Sequence, residues 1–177
     1  MYTQKEFLSP RELETFQNSI EHNSVPWDLN PMPRESGMVY QVSHTYWDSE
    51  TGIDPIVNSN TYWQLQNNLI HRIFPTAILR AAIQVALGRE TDQFSQNIVT
   101  ARDHSTYLTG YVFLNTTSGG IEIENSELVA SEANTLVIFP GDTPHRIKAA
   151  NTEDPVMSVL SFDFVPSVKT PNEFFKD

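Results

Sequence analysis

The chain has 177 residues, 22 acidic against 11 basic side chains for a net charge of -11, and no cysteine. A globule of this length buries about 70% of its extended surface, enough for a core without staples, and the absence of thiols excludes disulfides, thiolate metal sites and cysteine nucleophiles. The excess of carboxylates repels phosphate backbones and anionic lipid, so neither nucleic acid nor membrane is an expected partner.

The opening Met1-Tyr2-Thr3-Gln4-Lys5-Glu6-Phe7 has no basic region followed by an apolar one, and no later run approaches ~18 uninterrupted apolar residues. The expectation is a soluble, unprocessed, non-secreted protein. Ser9-Pro10-Arg11-Glu12 combines an N-cap, proline at the first helical position and a glutamate that completes a capping box. A helix over about residues 10–22 follows, with Leu13, Phe16 and Ile20 on one face. The proline-rich run Val25 to Pro33 breaks it.

Residues Gly37 to Trp47 are dense in β-branched and aromatic side chains and predict a strand, closed by Asp48-Ser49-Glu50-Thr51-Gly52. From Thr61 to Ile73 the stripe Tyr62, Leu65, Leu69, Ile73 predicts a second helix, ended by Phe74-Pro75. The segment Leu79 to Leu87 carries helix formers but alternates at Leu79, Ala81, Ile83, Val85 and Leu87, which favours a strand. Further strands are expected near 107–115, 120–129, 135–149 and 156–165, separated by Ser118-Gly119-Gly120, Ser131-Glu132-Ala133-Asn134 and Asn151 to Pro155. Two helices followed by a run of strands define a mainly β member of the α+β class. No internal repeat or interior linker divides the chain, so one domain over 1–177 is expected: N-terminal helices and first strand over 1–76, a strand-rich core over 77–165, and a tail over 166–177 whose Phe174 and Phe175 could dock on the body or on a partner.

Three segments carry a resemblance: Tyr107 to Asn115, Leu136 to His145 with its Phe139-Pro140-Gly141 turn, and Ser158 to Phe164. Together they resemble the 2-oxoglutarate/Fe(II) oxygenase-like proteins found in bacteriophages, over roughly residues 78–165. The resemblance implies a double-stranded β-helix of jelly-roll or cupin-like form, flanked by the two N-terminal helices. It further implies iron held by a His-x-Asp or His-x-His pair and a distant histidine, with an arginine on the last strand for the keto acid. His145 matches the distant histidine. The pair falls at Ala101 and Asp103, and the arginine position at Met157; alanine cannot ligate a metal and a thioether offers a carboxylate no donor. His104 adjoins Asp103 and faces the same way only if the chain turns there. Arg146 and Lys148 share the parity opposite to His145, so neither replaces the arginine.

Other polar residues have structural explanations. The spacing of His44 and Asp48 suits a helix but falls on a strand, where a surface strand end explains both. His22 and His71 sit at helix C-termini, where an imidazolium complements the dipole. Glu122, Glu124 and Glu127 mark a solvated strand face beside Ile121 and Ile123. Phosphate loops, serine elbows and zinc-protease motifs are absent from the sequence.

The vacant positions at Ala101 and Met157 lead to the expectation of a non-catalytic binding or assembly module without a cofactor. Its partners would be other protein subunits, plausibly structural proteins of a phage particle, with the chain in host cytoplasm or virion. Two alternatives accompany it. One is an active Fe(II)/2-oxoglutarate dioxygenase with metal ligands His145, Asp103 and His104. The other is a metal-free, cupin-like binder of a small ligand in an apolar mouth lined by Tyr111, Phe113 and Phe139.

Overall fold

A computed structural model describes residues 1–21, 27–30, 39–48, 60–88, 107–124, 126–148 and 156–170. Its strands are β1 (Tyr2–Gln4), β2 (Asp28–Asn30), β3 (Val39–Asp48), β4 (Pro75–Gly88), β5 (Leu108–Phe113), β6 (Gly120–Ile123), β7 (Leu128–Ala130), β8 (Leu136–Pro140), β9 (His145–Lys148) and β10 (Val156–Pro166); the helices are α1 (Pro10–Glu21) and α2 (Asn60–Asn68). Among the described residues these strands make a seven-stranded sheet, in the order β1-β8-β5-β10-β4-β3-β2, and a three-stranded sheet, β7-β6-β9. Every pairing between them is antiparallel. The expected mixed α+β, jelly-roll-like core with two N-terminal helices is therefore present.

The capping box at Ser9 forms as the sequence predicts: the Ser9 backbone N–H donates to the Glu12 carboxylate at 2.7 Å, and the Glu12 N–H donates to Ser9 Oγ at 3.4 Å. Phe16 is buried, and Leu13 and Ile20 pack beside it against the large sheet. The second helix changes character where it meets the sheet. After Asn68 it widens into a π-helical turn, Leu69–Ile73, which keeps both Leu69 and Ile73 buried. Phe74, in the left-handed region at φ 54°, closes the turn by donating its N–H to the Leu69 carbonyl. Among the described residues no helix is long and apolar enough to cross a membrane.

Strand alternation builds two cores from one sheet, because successive side chains leave a strand on opposite faces. On β10, Leu160, Phe162 and Phe164 face the helices and join Ala81 and Ile83 of β4, Leu108 and Val112 of β5, and Leu136 and Ile138 of β8. Met157 and Val159 face the other way. With Tyr111, Phe113, Val137 and Phe139 they meet Ile121 and Ile123 of the small sheet. The layer between the sheets thus excludes water without help from the helices. Gly110 opposes Phe162 across the β5–β10 ladder, and a Cβ there would lie 2.4 Å from the Phe162 ring; only glycine lets the aromatic ring lie across β5.

The structure departs from the predicted strands in three ways. The expected strand 120–129 is a hairpin, β6 and β7, within the small sheet. The expected strand 135–149 is two strands in different sheets, because Phe139-Pro140-Gly141 turns the chain: β8 stays with β5, and β9 pairs with β6. The third departure is the pair of short edge strands β1 and β2, each three residues long, too brief for alternation to register.

Asn134 ties the N-terminal segment to this core. Its Nδ2 donates to the Leu8 carbonyl and its Oδ1 accepts from the Leu8 N–H, both at 2.7 Å, while its backbone sits at φ 64°. Asn134→Gly keeps that backbone and loses two hydrogen bonds, so it should cost about 2 kcal/mol. Asn134→Ala should cost about 1 kcal/mol more because a Cβ is disfavoured there. Urea midpoints at unchanged slope measure both; equal midpoints would show that the left-handed backbone carries no strain.

Candidate functional site

The space between the sheets has a polar end. Four strands bring it together through their inward parity: Arg80 and Gln84 from β4, Thr109 and Tyr111 from β5, Ser161 and Asp163 from β10, and His145 from β9. The register makes this local, since Asp163 stands opposite both Arg80 and Thr109, and Ser161 opposite Tyr111. His145 enters from the small sheet, where it opposes Ile123. The turn before it is packed tightly: Tyr107 Oη donates to the Gly141 carbonyl at 2.8 Å, and a Cβ on Gly141 would meet the Tyr107 ring at 2.0 Å.

His145 is only 4% exposed and both of its ring nitrogens are engaged. Nδ1 lies 3.0 Å from the Thr143 carbonyl, which can only accept, so Nδ1 carries the proton. Nε2 is then an acceptor and takes the Tyr111 hydroxyl hydrogen at 2.9 Å. Phe139 stacks on Tyr111 with ring centroids 6.0 Å apart and meets the imidazole edge-on at 4.9 Å. Burial pushes the imidazole pKa below its ordinary 6.5, against smaller upward pulls from the Thr143 carbonyl and Asp163. Nearby, Thr109 Oγ1 donates to Asp163 Oδ1 at 2.7 Å.

Two atoms of the recess are left over. Gln84, 4% exposed, keeps a buried Oε1, and Arg80 a buried Nε, neither with a hydrogen-bond partner among the described residues. The cavity they line has a volume of ≈10 Å³ open to water centres, about the space of a single water molecule.

Of the residues expected to hold metal, His145 lies in this recess, while Asp103, His104 and the vacant position Ala101 fall outside the described residues. Met157 occupies the arginine position of the resemblance as a fully buried side chain of the inter-sheet core. Arg146 points away from His145 as its parity requires, and its guanidinium holds Glu122 at 2.6 Å on the outer face. The apolar mouth expected at Tyr111, Phe113 and Phe139 is filled, since these rings are at most 2% exposed and pack on one another and on Met157. What opens beside them is polar. His44, read as a surface strand end, is instead 2% exposed and edge-on to Tyr46 at 4.9 Å; burial of β3 beneath the helices puts it there. His71 is exposed at the π-helical turn, as expected, and His22 is outside the described residues.

The sequence reading missed Arg80, Gln84, Thr109, Ser161 and Asp163. A signal existed in polar residues at every second position of otherwise apolar strands, as in Leu160-Ser161-Phe162-Asp163-Phe164.

The donors among the described residues do not by themselves make an iron site of the kind the resemblance implies. Among the described residues no three His, Asp or Glu side chains group to hold a metal ion. The imidazole nitrogen that would ligate is already accepting from Tyr111, and a thioether stands where a cation should anchor a keto acid.

No protein-family model matches the sequence, and no curated protein matches it. Solved structures do share its fold. An oxidoreductase of the 2OG-Fe(II) oxygenase family from Burkholderia pseudomallei is 12% identical with a TM-score of 0.68, covering 94% of this chain and 86% of its own. A prolyl hydroxylase from Trichoplax adhaerens, solved with a hypoxia inducible factor peptide fragment, is 13% identical at a TM-score of 0.61, over 93% and 83%. A Pseudomonas putida prolyl-4-hydroxylase is 16% identical at 0.53, over 94% and 92%. The chain therefore has the double-stranded β-helix fold of the 2-oxoglutarate/Fe(II) oxygenases.

The depressed imidazole pKa has a definite consequence for stability. Above the unfolded value near 6.5 the group is neutral in both states and contributes no pH dependence. As pH falls below that value the unfolded chain takes the proton first, and stability drops by up to about 1.4 kcal/mol per pH unit until the folded pKa is passed. Urea unfolding at about pH 7.5 and about pH 5.5 should show a larger acid loss for the native chain than for His145→Gln. Equal losses would mean that His145 is not desolvated.

Proposed function

We propose that this chain is a metal-free binding domain on an oxygenase-type β-helix, taking one polar end of a small ligand in the recess beside His145. The observation that carries the reading is the engagement of both His145 nitrogens, by Tyr111 and the Thr143 carbonyl, inside a core that Met157 completes. A histidine so fixed shapes a binding surface rather than presenting a lone pair to an ion.

The unpartnered atoms suggest what is bound. Arg80 Nε needs an acceptor and Gln84 Oε1 needs a donor. A single hydroxyl supplies both, donating its hydrogen to Gln84 Oε1 and accepting from Arg80 Nε in a water-sized space, and satisfying two buried orphan groups is worth more than adding apolar contact. The small volume limits entry to that head group, with the remainder of the ligand lying outward.

Anaerobic Fe(II) or Mn(II) titration and thermal unfolding with small alcohols and polyols test the reading together. The expected outcome is no His145-dependent metal affinity, and stabilisation by a ligand near 100 times its Kd of about 2.7 kcal/mol. Gln84→Leu should abolish that stabilisation. Micromolar Fe(II) binding lost in His145→Ala, accompanied by succinate formed from 2-oxoglutarate, would falsify the proposal in favour of an active dioxygenase.

A further inference from the structure

The recess beside His145 belongs to a charged row that crosses the large sheet. Residues directly opposite one another in antiparallel strands share a face, and the ladders set Arg80 of β4 opposite Asp163 of β10 on one side and Asp48 of β3 on the other. Asp163 in turn stands opposite Thr109 of β5. One guanidinium is thus flanked by two carboxylates, and the row carries an excess of negative charge. Asp163 is 6% exposed and lines the recess, while Asp48 is half-buried on the flanking strand.

The Asp163 carboxylate acts beyond its own strand. Its Oδ1 accepts the Thr109 hydroxyl hydrogen, and its charge reaches the His145 imidazole on the facing sheet. The rest of the lining, Gln84, Thr109, Tyr111, Ser161 and Phe162, brings no second fixed cation. Over the whole chain, 22 acidic against 11 basic side chains give the wider field the same sign.

These charges matter because the space admits so little. A volume of ≈10 Å³ takes a single oxygen. A functional group two bonds away from that oxygen then falls inside the range, about 4–6 Å, at which a carboxylate acts on a neighbouring charge. Arg80 does not offset this for an anion, because two carboxylates already flank its guanidinium.

Building on the reading of the recess as a hydroxyl site, we propose that Asp163 sets the charge of the ligand. The site takes an amino alcohol, with its hydroxyl between Arg80 Nε and Gln84 Oε1 and its ammonium towards Asp163, and it rejects hydroxy acids. The hydroxyl satisfies the two orphan atoms. The ammonium supplies the counter-charge that the row lacks, with N–H donors for a carboxylate to accept, whereas an acid brings acceptors and a further negative charge.

Serinol, glycerol and glycerate share a three-carbon skeleton and a primary hydroxyl but are cationic, neutral and anionic at about pH 7. They are titrated at fixed ionic strength while NMR follows the Gln84 side-chain amide. Kd should rise about tenfold at each step from serinol to glycerol to glycerate. Asp163→Asn removes the charge and keeps an oxygen for Thr109, and it should narrow the gap between serinol and glycerate to about tenfold or less. Asp48→Asn should narrow the same gap by a smaller factor, which provides a second reading if the first variant does not fold. Equal affinities for all three ligands, each shifting the Gln84 amide, would overturn the charge selection and leave the hydroxyl site standing. A gap unchanged in Asp163→Asn would overturn the role given to that residue. A Gln84 amide that responds to none of them would remove the hydroxyl site and this inference with it.

Discussion

Strand β10 runs down the middle of the large sheet between β5 and β4, and its pleat divides the protein into two interiors. Leu160, Phe162 and Phe164 close the layer under the helices; Met157 and Val159 close the layer between the sheets. A one-residue slip would exchange these sets and place Ser161 and Asp163 under the helices. Several features hold the register. Gly110 accepts the Phe162 ring at close range, Thr109 bonds Asp163, and β4 follows β10 from Val156 to Pro166 with shifts only near its end. The recess beside His145, lined by Ser161 and Asp163 of β10, is a consequence of that alternation.

The position of His145 depends on a second constraint, the turn at Phe139-Pro140-Gly141. Packing of Tyr107 over Gly141 fixes where the chain leaves the large sheet, and the next strand then pairs with β6. This brings an imidazole over Tyr111 and Phe139 from the opposite sheet. In a buried setting its cheapest state is neutral, with Nδ1 giving its hydrogen to a carbonyl and Nε2 receiving one from a phenol. A fold that serves oxygenases elsewhere here uses the same region for a closed hydrogen-bond chain with a polar pocket behind it.

Polar groups left unsatisfied in such a dense interior are costly, and the recess holds two. Arg80 and Gln84 lie on the same face of β4, four residues apart, with Ala82 between them. Both side chains line the recess between the sheets.

Much of the architecture was readable in the sequence because it is local. The capping box at Ser9, the stripe Leu65, Leu69, Ile73, the alternation from Leu79 to Leu87 and the Pro-Gly turn before His145 are patterns of neighbours, set by helix and strand periods. The distinction between one long strand at 135–149 and two strands in facing sheets was not, since it depends on which partners β8 and β9 find. The same holds for the site. The sequence identified His145 and the thioether at Met157, but hydrogen-bond partners distant in the chain settle whether an imidazole nitrogen is free. Tyr111 lies 34 residues from His145, and Arg80 meets Asp163 only through the β4–β10 ladder. Local patterns are written in residue order; burial, tautomer and unsatisfied atoms come from packing segments that residue order keeps apart.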